Sequence, residues 1–239
     1  MTSVTAFNQK FDVSSYSSLD LQNFTFLLTV NLQIIYLLNT NHEFRRFTSD
    51  AKLCFDGVLP LQLSKLIKSN DYETLTGSSA IFDLLRDDRT RNYKFLLIGA
   101  EPDVNRKAVD RANIEFGREA YGYSPKFADE MLLEDKQNLS KLIEESRPEV
   151  VLLGLDTVKA NRWIFNNMSV LKSSGVKFVS GFGGAIDLLG RKLKPCPPWM
   201  NRLGLEWLFR TFQQPSIYRL KRIYVSLIAL RFLIFSSKI

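Results

Sequence analysis

The sequence predicts an α/β fold in which helices flank a mainly parallel sheet. Short runs of β-branched and aromatic residues alternate with longer runs whose apolar residues recur every three or four positions, as in βαβ units. Two short runs, Phe95–Ile98 and Val150–Leu153, are continuously apolar and end in glycine, which is typical of strands buried on both faces. We therefore expect a Rossmann-like core.

The elements of this core follow one another as alternating strands and helices. Ligands of open α/β folds collect at the carboxyl ends of the strands, so functional residues are expected in the turns that follow them. The predicted strands are Phe24–Val30, Ala51–Phe55, Tyr72–Thr76, Tyr93–Ile98, Glu149–Leu153 and Val176–Gly181. The predicted helices are Leu32–Asn39, Pro60–Lys68, Ala80–Arg86, Val104–Phe116, Leu133–Ser146 and Lys159–Ser173.

Composition excludes several classes of protein. With 239 residues, 45% of them apolar and 24% charged, the chain is neither disordered nor of low complexity. Its two cysteines, Cys54 and Cys196, set no disulfide framework and indicate a reducing compartment. One histidine and two distant cysteines do not make a zinc site, so any metal would need carboxylate ligands. The polar stretch Met1–Ser18 does not have the pattern of a secretory signal, so we expect a cytoplasmic location.

Basic residues are concentrated at the C-terminal end. Residues 191–239 contain ten basic residues and one acidic residue, a net charge of +9, whereas the whole chain carries +7. Two aromatic- and arginine-rich helical patterns follow each other there, Trp199–Phe212 and Pro215–Phe235. Two stretches of the chain are apolar enough to test as membrane spans, Phe24–Leu38 and Ile223–Phe235, but the first contains several polar residues and the second is short and contains Arg231, so neither is expected to span a bilayer. We expect an α/β core over residues 1–190 and a basic helical appendage over residues 191–239 that associates with an anionic membrane surface. The alternatives are a helix packed on the core with solvated charges, and nucleic-acid binding, for which no recognition motif is present.

Three of the turns after strands carry residues suited to chemistry. Asp56 follows a strand and precedes a helix, so its carboxylate is expected either to cap that helix or to take a proton from an acceptor hydroxyl. The turn Gly99–Pro102 is either a tight turn or a weak phosphate cradle. Three glycines within Gly181–Gly184 would let the backbone pass close to a ligand or to a neighbouring helix.

A longer set of motifs runs in order from about Phe24 to Arg222. The upstream motifs are Thr29-Val-Asn31, Asp56-Gly57, Gly77 and Leu97-Ile-Gly99 with Pro102. The downstream motifs are Gly183-Gly-Ala-Ile-Asp187, Lys192-Leu-Lys194, Pro197-x-Trp199-Met, Leu203-Gly-Leu-Glu-Trp-Leu-Phe-Arg210 and Pro215. In this order and spacing they resemble the WecG/TagA/CpsF family of bacterial glycosyltransferases.

The resemblance implies an activity. Members of that family transfer N-acetylmannosamine or a related sugar from a UDP donor to a polyprenyl-diphosphate-linked saccharide at the cytoplasmic membrane face. They invert the anomeric centre and are thought to need no metal, so no cofactor is implied beyond the UDP-sugar donor. The implied partners are that donor, the lipid-linked acceptor, the inner membrane surface and a second copy of the chain, but no nucleic acid.

The resemblance also implies roles for particular residues. Asp56 would be the general base on the acceptor hydroxyl, with Thr29 and Asn31 beside it as catalytic residues. Arg210, Arg219 and Arg222 would meet the charge of a diphosphate. The other residues implied in substrate binding are Gly77, Gly99, Lys159, Gly183, Gly184 and Asp187.

The chain departs from the family pattern after the strand that ends near Leu153. Ala160 and Asn161 stand where the family has glutamine and glutamate, and alanine cannot replace the hydrogen bonds of a glutamine amide. Pro195, Cys196 and Arg191 stand where arginine, alanine and glycine are usual, and Ser79 replaces a common aspartate. Two hypotheses therefore remain: an active, divergent glycosyltransferase, or a degenerate paralogue that binds a nucleotide or lipid carrier without turnover.

Overall fold

A six-stranded parallel sheet organises the fold in the computed structural model, which describes residues 4–7, 9–67, 72–126, 131–213, 215 and 217–232. Its strands are β3 (Thr25–Val30), β4 (Lys52–Phe55), β5 (Lys94–Gly99), β6 (Glu119–Tyr123), β7 (Val150–Gly154) and β8 (Phe178–Gly181). Two further strands, β1 (Val4–Ala6) and β2 (Gln9–Phe11), form a separate antiparallel hairpin. The predicted α/β class is therefore confirmed.

The order of strands in the sheet is β4-β3-β8-β7-β5-β6. The register pairs Leu27 of β3 with Ser180 of β8, and it pairs Gly99 with Gly154, the last residues of β5 and β7. Every residue of β3 and the first four of β7 are buried, as expected for strands covered on both faces.

Helices follow most of the strands, in the alternation that the sequence predicts. In chain order they are α1 (Leu32–Thr40), α2 (His42–Phe47), α3 (Val58–Ile67), α4 (Gly77–Arg86), α5 (Pro102–Phe116), α6 (Leu133–Ser146), α7 (Thr157–Asn166), α8 (Met168–Ser173), α9 (Ala185–Leu189), α10 (Pro198–Arg202), α11 (Glu206–Gln213) and α12 (Ile217–Ala229). Across the described ranges, no helix combines the length and the hydropathy needed to cross a bilayer.

The chain divides into two compact units that are not continuous in sequence. The first unit comprises residues 1–19, 28–76 and 195–239, and the second comprises residues 20–27 and 77–194. The predicted division into a core over residues 1–190 and an appendage over residues 191–239 stays a prediction.

Aromatic packing and long-range hydrogen bonds hold the first unit together. The rings of Phe11 and Phe55 stack with their centroids 3.9 Å apart, and the Tyr72 hydroxyl donates to the Phe11 carbonyl oxygen at 3.1 Å. Helix α12 packs against α1 in the same unit. Segments from the start, middle and end of the chain thus share one core.

Close backbone packing characterises the second unit at the ends of its strands. A Cβ atom at Gly99 would lie 2.8 Å from the carbonyl oxygen of Gly154, and one at Gly181 would lie 3.0 Å from the Cβ of Ala160. Real Cβ atoms are not found as close to backbone as 2.8 Å, so a larger residue is excluded at Gly99, whereas at Gly181 it would be tight and would require the neighbouring side chain to shift. These glycines let neighbouring strands and α7 approach each other.

The strand predictions differ from the structure at three places, the first of which is the hairpin of β1 and β2, which was not predicted. The predicted strand Tyr72–Thr76 is wrong, because this segment makes isolated hydrogen bonds, such as that from Leu75 N to Phe55 O at 2.8 Å, instead of joining a sheet. Strand β6 was not predicted, since its short sequence with Gly122 lacks an apolar run, and it forms by pairing with β5 at the edge of the sheet.

The helix predictions differ from the structure mainly in where helices break. The predicted helix Lys159–Ser173 is divided at Asn167 into α7 and α8. The predicted helix Trp199–Phe212 is divided into α10 and α11 around Gly204, whose φ of +71° lies in the left-handed region. The short helices α2 and α9 were not predicted, and the last three residues of the predicted helix Pro215–Phe235 lie outside the described residues.

Candidate functional site

Asn31 and Asp56 form a polar pair at the carboxyl ends of β3 and β4. The Asn31 Nδ2 group donates a hydrogen bond to the Asp56 carboxylate at 3.2 Å, and the Asn31 Oδ1 atom accepts one from the backbone N–H of Ile34 at 3.1 Å. Asn31 is therefore the N-cap of α1, and the cap decides which end of its amide faces Asp56. The backbone N–H of Asp56 donates to the Val30 carbonyl at 3.0 Å, which ties the main chain of Asp56 to the end of β3.

Thr29 and Gly57 flank this pair along the chain. Thr29 lies on β3 two residues before Asn31 and is 6% exposed. Gly57 has a φ of +87°, a conformation that glycine adopts without strain and that turns the chain from β4 toward α3. The predicted catalytic residues Thr29, Asn31 and Asp56 thus lie within one compact unit and at adjacent strand ends.

Arg210 is a mostly buried arginine in α11 of the same unit. Its side chain is 13% exposed, and its Nη2 atom donates to Glu206 Oε1 at 3.2 Å. Its Nη1 atom is buried without a hydrogen-bond partner among the described residues. Because an unpaired buried donor is costly, this guanidinium is suited to receive an anion.

Cys196 lies in the electrostatic field of Glu206 and Arg210. Burial is the largest cause that raises the pKa of its thiol, and the negative charge of Glu206 raises it further, while the Arg210 guanidinium opposes both. The thiol is therefore mostly protonated at neutral pH and is not an activated nucleophile.

Gly77 and Gly99, two predicted substrate-binding residues of the second unit, have packing reasons to be glycine. A Cβ atom at Gly77 would lie 3.3 Å from the Cα atom of Phe182. At Gly99 the φ of +115° and the proximity of Gly154 both exclude a side chain. These contacts account for the two glycines through packing, and their predicted roles in binding stay predictions.

The glycine-rich turn after β8 starts α9. Gly183 has a φ of +51°, and Gly184 is the N-cap of the helix. Asp187 lies in the first turn of α9, where its carboxylate is 3.9 Å from the Lys192 ammonium. Lys192 forms a closer ion pair with Glu101, at 2.8 Å, which the sequence analysis missed because the two residues lie in different predicted motifs.

The altered segment of the family pattern forms the start of α7. Asp156 caps this helix by accepting from the Val158 N–H at 3.0 Å, and Lys159 is exposed on its first turn. Ala160 is fully buried. Asn161 is 1% exposed; its Nδ2 atom donates to the Thr157 carbonyl at 2.7 Å, and its Oδ1 atom is buried without a partner among the described residues.

Two predicted phosphate-binding residues are described only through their backbone. Arg219 and Arg222 lie in α12, and their side chains are outside the described part of the structure. A search of the described residues finds no group of three or more histidine, cysteine, aspartate or glutamate side chains that could hold a metal ion.

The parallel sheet and the strand-end carboxylate define an α/β protein with a candidate general base for a hydroxyl group. The sequence model of the family described as "Glycosyl transferase WecG/TagA/CpsF family" matches residues 9–239. The chain therefore belongs to this glycosyltransferase family, and the resemblance found in its motifs is confirmed.

Curated relatives support this membership. A protein of Bacillus subtilis strain 168, named N-acetylglucosaminyldiphosphoundecaprenol N-acetyl-beta-D-mannosaminyltransferase, is 26% identical over 197 residues, which cover 81% of this chain and 73% of the relative. Proteins of the same name from Bacillus spizizenii strain W23 and Staphylococcus aureus strain MRSA252 are 24% and 23% identical over 203 residues. These two alignments each cover 84% of this chain, and 76% and 77% of the respective relatives.

Proposed function

We propose that this protein transfers N-acetylmannosamine or a related sugar from a UDP-sugar to a polyprenyl-diphosphate-linked saccharide, with inversion and without a metal. Family membership supports the transferase class. The names of the relatives support a lipid-diphosphate-linked N-acetylglucosamine acceptor and a mannosamine-type donor. The product would be a lipid-linked saccharide lengthened by one sugar for a cell-surface polymer.

The observation that carries this proposal is the Asn31–Asp56 pair. A base must lie within hydrogen-bond reach of the proton that it removes and must be held in position. In the proposed step, the acceptor hydroxyl oxygen bonds to the anomeric carbon while the bond from that carbon to the UDP oxygen breaks. The hydroxyl proton passes to Asp56, and UDP leaves with the bonding electrons. Asn31 would hold the Asp56 carboxylate in the position from which it removes this proton.

Arg210 would meet the negative charge that develops on a diphosphate. Its Nη1 atom is buried and has no hydrogen-bond partner within the part of the chain that the structure describes, and a phosphate oxygen would satisfy this donor. A preorganised cation of this kind stabilises a leaving UDP without the help of a metal. We assign the same class of role to Arg219 and Arg222.

The membrane surface is the proposed location of the reaction. Four large apolar side chains of α10, α11 and the turn between them are exposed: Trp199 by 61%, Leu203 by 65%, Trp207 by 46% and Phe212 by 75%. They lie within the segment that carries a net charge of +9. Exposed aromatic and basic residues together favour the interface of an anionic bilayer.

A second candidate function, binding without turnover, is favoured by Ala160. This residue is fully buried, and its Cβ atom would lie only 3.0 Å from a Cβ atom at Gly181. Ala160 therefore does not replace the hydrogen bonds that the family's glutamine would make at this position. A protein with this change would bind UDP or a lipid diphosphate but transfer no sugar.

The deciding experiment compares the wild type with Asp56→Asn on a panel of UDP-sugars and a synthetic lipid-diphosphate-linked acceptor, with EDTA present. We expect turnover with one donor that persists in EDTA and falls at least about a thousandfold in the variant, because an amide cannot accept the proton. The exposed Asp110→Asn is the matched control. UDP binding without turnover for any donor would favour the binding function instead.

A further inference from the structure

Helix α1 links the Asn31–Asp56 pair to the C-terminal helix α12. Asn31 caps the first turn of α1 through Oδ1 and holds Asp56 through Nδ2. Helix α12 packs against α1, and all of these elements belong to the first compact unit. The proposed base and the C-terminal helix are thus connected through one short helix.

Helix α1 depends on tertiary packing for its order. It contains nine residues, whereas isolated helices shorter than about 12 residues are marginally stable in water. Four of its residues are buried: Leu32, Ile34, Ile35 and Leu38. The first turn includes the Ile34 N–H that fixes the Asn31 amide, so loss of a packing partner is expected to loosen that amide.

Among the side chains of α12 that the structure describes, one is buried and others are exposed to solvent. Ala229 is fully buried, while Tyr224 is 68% exposed and Leu227 is 62% exposed. An alanine in a packed helix interface allows close approach, and a larger side chain there forces the helix outward. Ala229 is therefore a buried position of α12 at which a larger uncharged side chain is expected to disturb the packing of the helix.

We infer that α12 positions the proposed base: its packing on α1 orders the first turn, which holds the Asn31 amide and thereby the Asp56 carboxylate. This inference rests on the proposed function. It makes Ala229 a positioning residue that acts through α1. The chemistry of substrate binding is not altered in this scheme.

The test substitutes Ala229→Phe, with Leu227→Phe as the matched control on the exposed face of the same helix. A water-soluble short-chain acceptor removes any contribution of membrane binding. We expect Ala229→Phe to lower kcat by about ten- to hundredfold with both KM values unchanged, and to speed amide exchange in the first turn of α1. The control is expected to stay within about twofold of the wild type. The smaller change Ala229→Leu serves if the phenylalanine variant does not fold.

A double-mutant cycle with Asn31→Ser tests the route. Serine keeps an oxygen that can accept from the N–H of the helix cap, but its shorter side chain lacks the Nδ2 group that donates to Asp56. If α12 acts through Asn31, the loss caused by Ala229→Phe shrinks in the Asn31→Ser background. If the two losses of kcat multiply in full in the double variant, the inference is overturned. It is also overturned if amide exchange in α1 is unchanged in Ala229→Phe. An inactive wild type would contradict the proposed function. Amide exchange in α1 of Ala229→Phe would then still test whether α12 orders that helix.

Discussion

The side-chain amide of Asn31 caps the start of α1 and also holds the candidate base Asp56. Its oxygen completes the start of α1, and because that oxygen is engaged, its NH₂ group faces Asp56. The sequence places both residues after strands and so predicts that they lie at one edge of the sheet. The orientation of the amide could not be predicted, because it depends on the hydrogen bond with Ile34 in the folded helix.

Arg210 leads to a prediction about diphosphate binding. Arg210→Lys keeps the charge but loses the planar fork that can engage a phosphate through two donors. We expect the Kd for UDP, measured by calorimetry, to rise about tenfold, with little change in melting temperature. Arg202→Lys, on an exposed arginine of α10, is the control. Equal affinity of Arg210→Lys and the wild type would contradict the assigned role.

At the scale of elements, helix breaks were the main errors of prediction. Apolar spacing predicts the face of a helix correctly, as in α6, whose observed range Leu133–Ser146 equals the predicted one. The same spacing continues through Asn167, where the structure starts a new helix, α8. Tertiary packing decides where such a pattern is interrupted, so local sequence does not reveal the break.

Helix α4 carries an acidic residue, Asp83, whose ionised form destabilises the folded state at neutral pH. Burial raises the pKa of Asp83 above its ordinary value, and the nearby Arg86 guanidinium partly opposes this shift. The folded state then binds the proton more tightly than the unfolded state, so stability falls as pH rises through the raised pKa.

We therefore expect Asp83→Asn to raise the melting temperature at pH 7, and the difference from wild type to shrink near about pH 3, where both states bind the proton. Thermal unfolding at the two pH values measures this. The exposed Asp110→Asn in α5 is the control and is expected to show little change at either pH. A variant of Asp83 that is less stable than the wild type at pH 7 would disprove the assignment.

At the scale of the whole molecule, the chain ends contribute to the same unit as the candidate base. Residues 195–239 belong to the unit that contains β4 and α1. Deleting residues 191–239 would therefore remove α12 from α1 as well as the basic charge, and would mix two effects. Point substitutions on the exposed faces of α10 and α11 separate membrane binding from folding.

The double variant Trp199→Ala/Trp207→Ala tests the proposed membrane surface. Both side chains are largely exposed, at 61% and 46%, so their removal is expected to leave folding intact. We expect binding to anionic vesicles in a sedimentation assay to fall at least about tenfold, and wild-type binding to weaken with salt. Ile114→Ala, at a residue of the second unit that is 82% exposed, is the control. Unchanged vesicle binding in the double variant would place the membrane contact elsewhere.

The sequence by itself determined the class of fold, most strands and helices, the basic C-terminal end and the family. These features depend on local patterns of apolar, charged and glycine residues, which are visible without coordinates. Only the tertiary structure decided that Asn31 contacts Asp56, 25 residues away, that α12 packs on α1, and that β6 pairs with β5. Contacts of this kind arise from burial and pairing between distant segments, and local propensity carries no information about them.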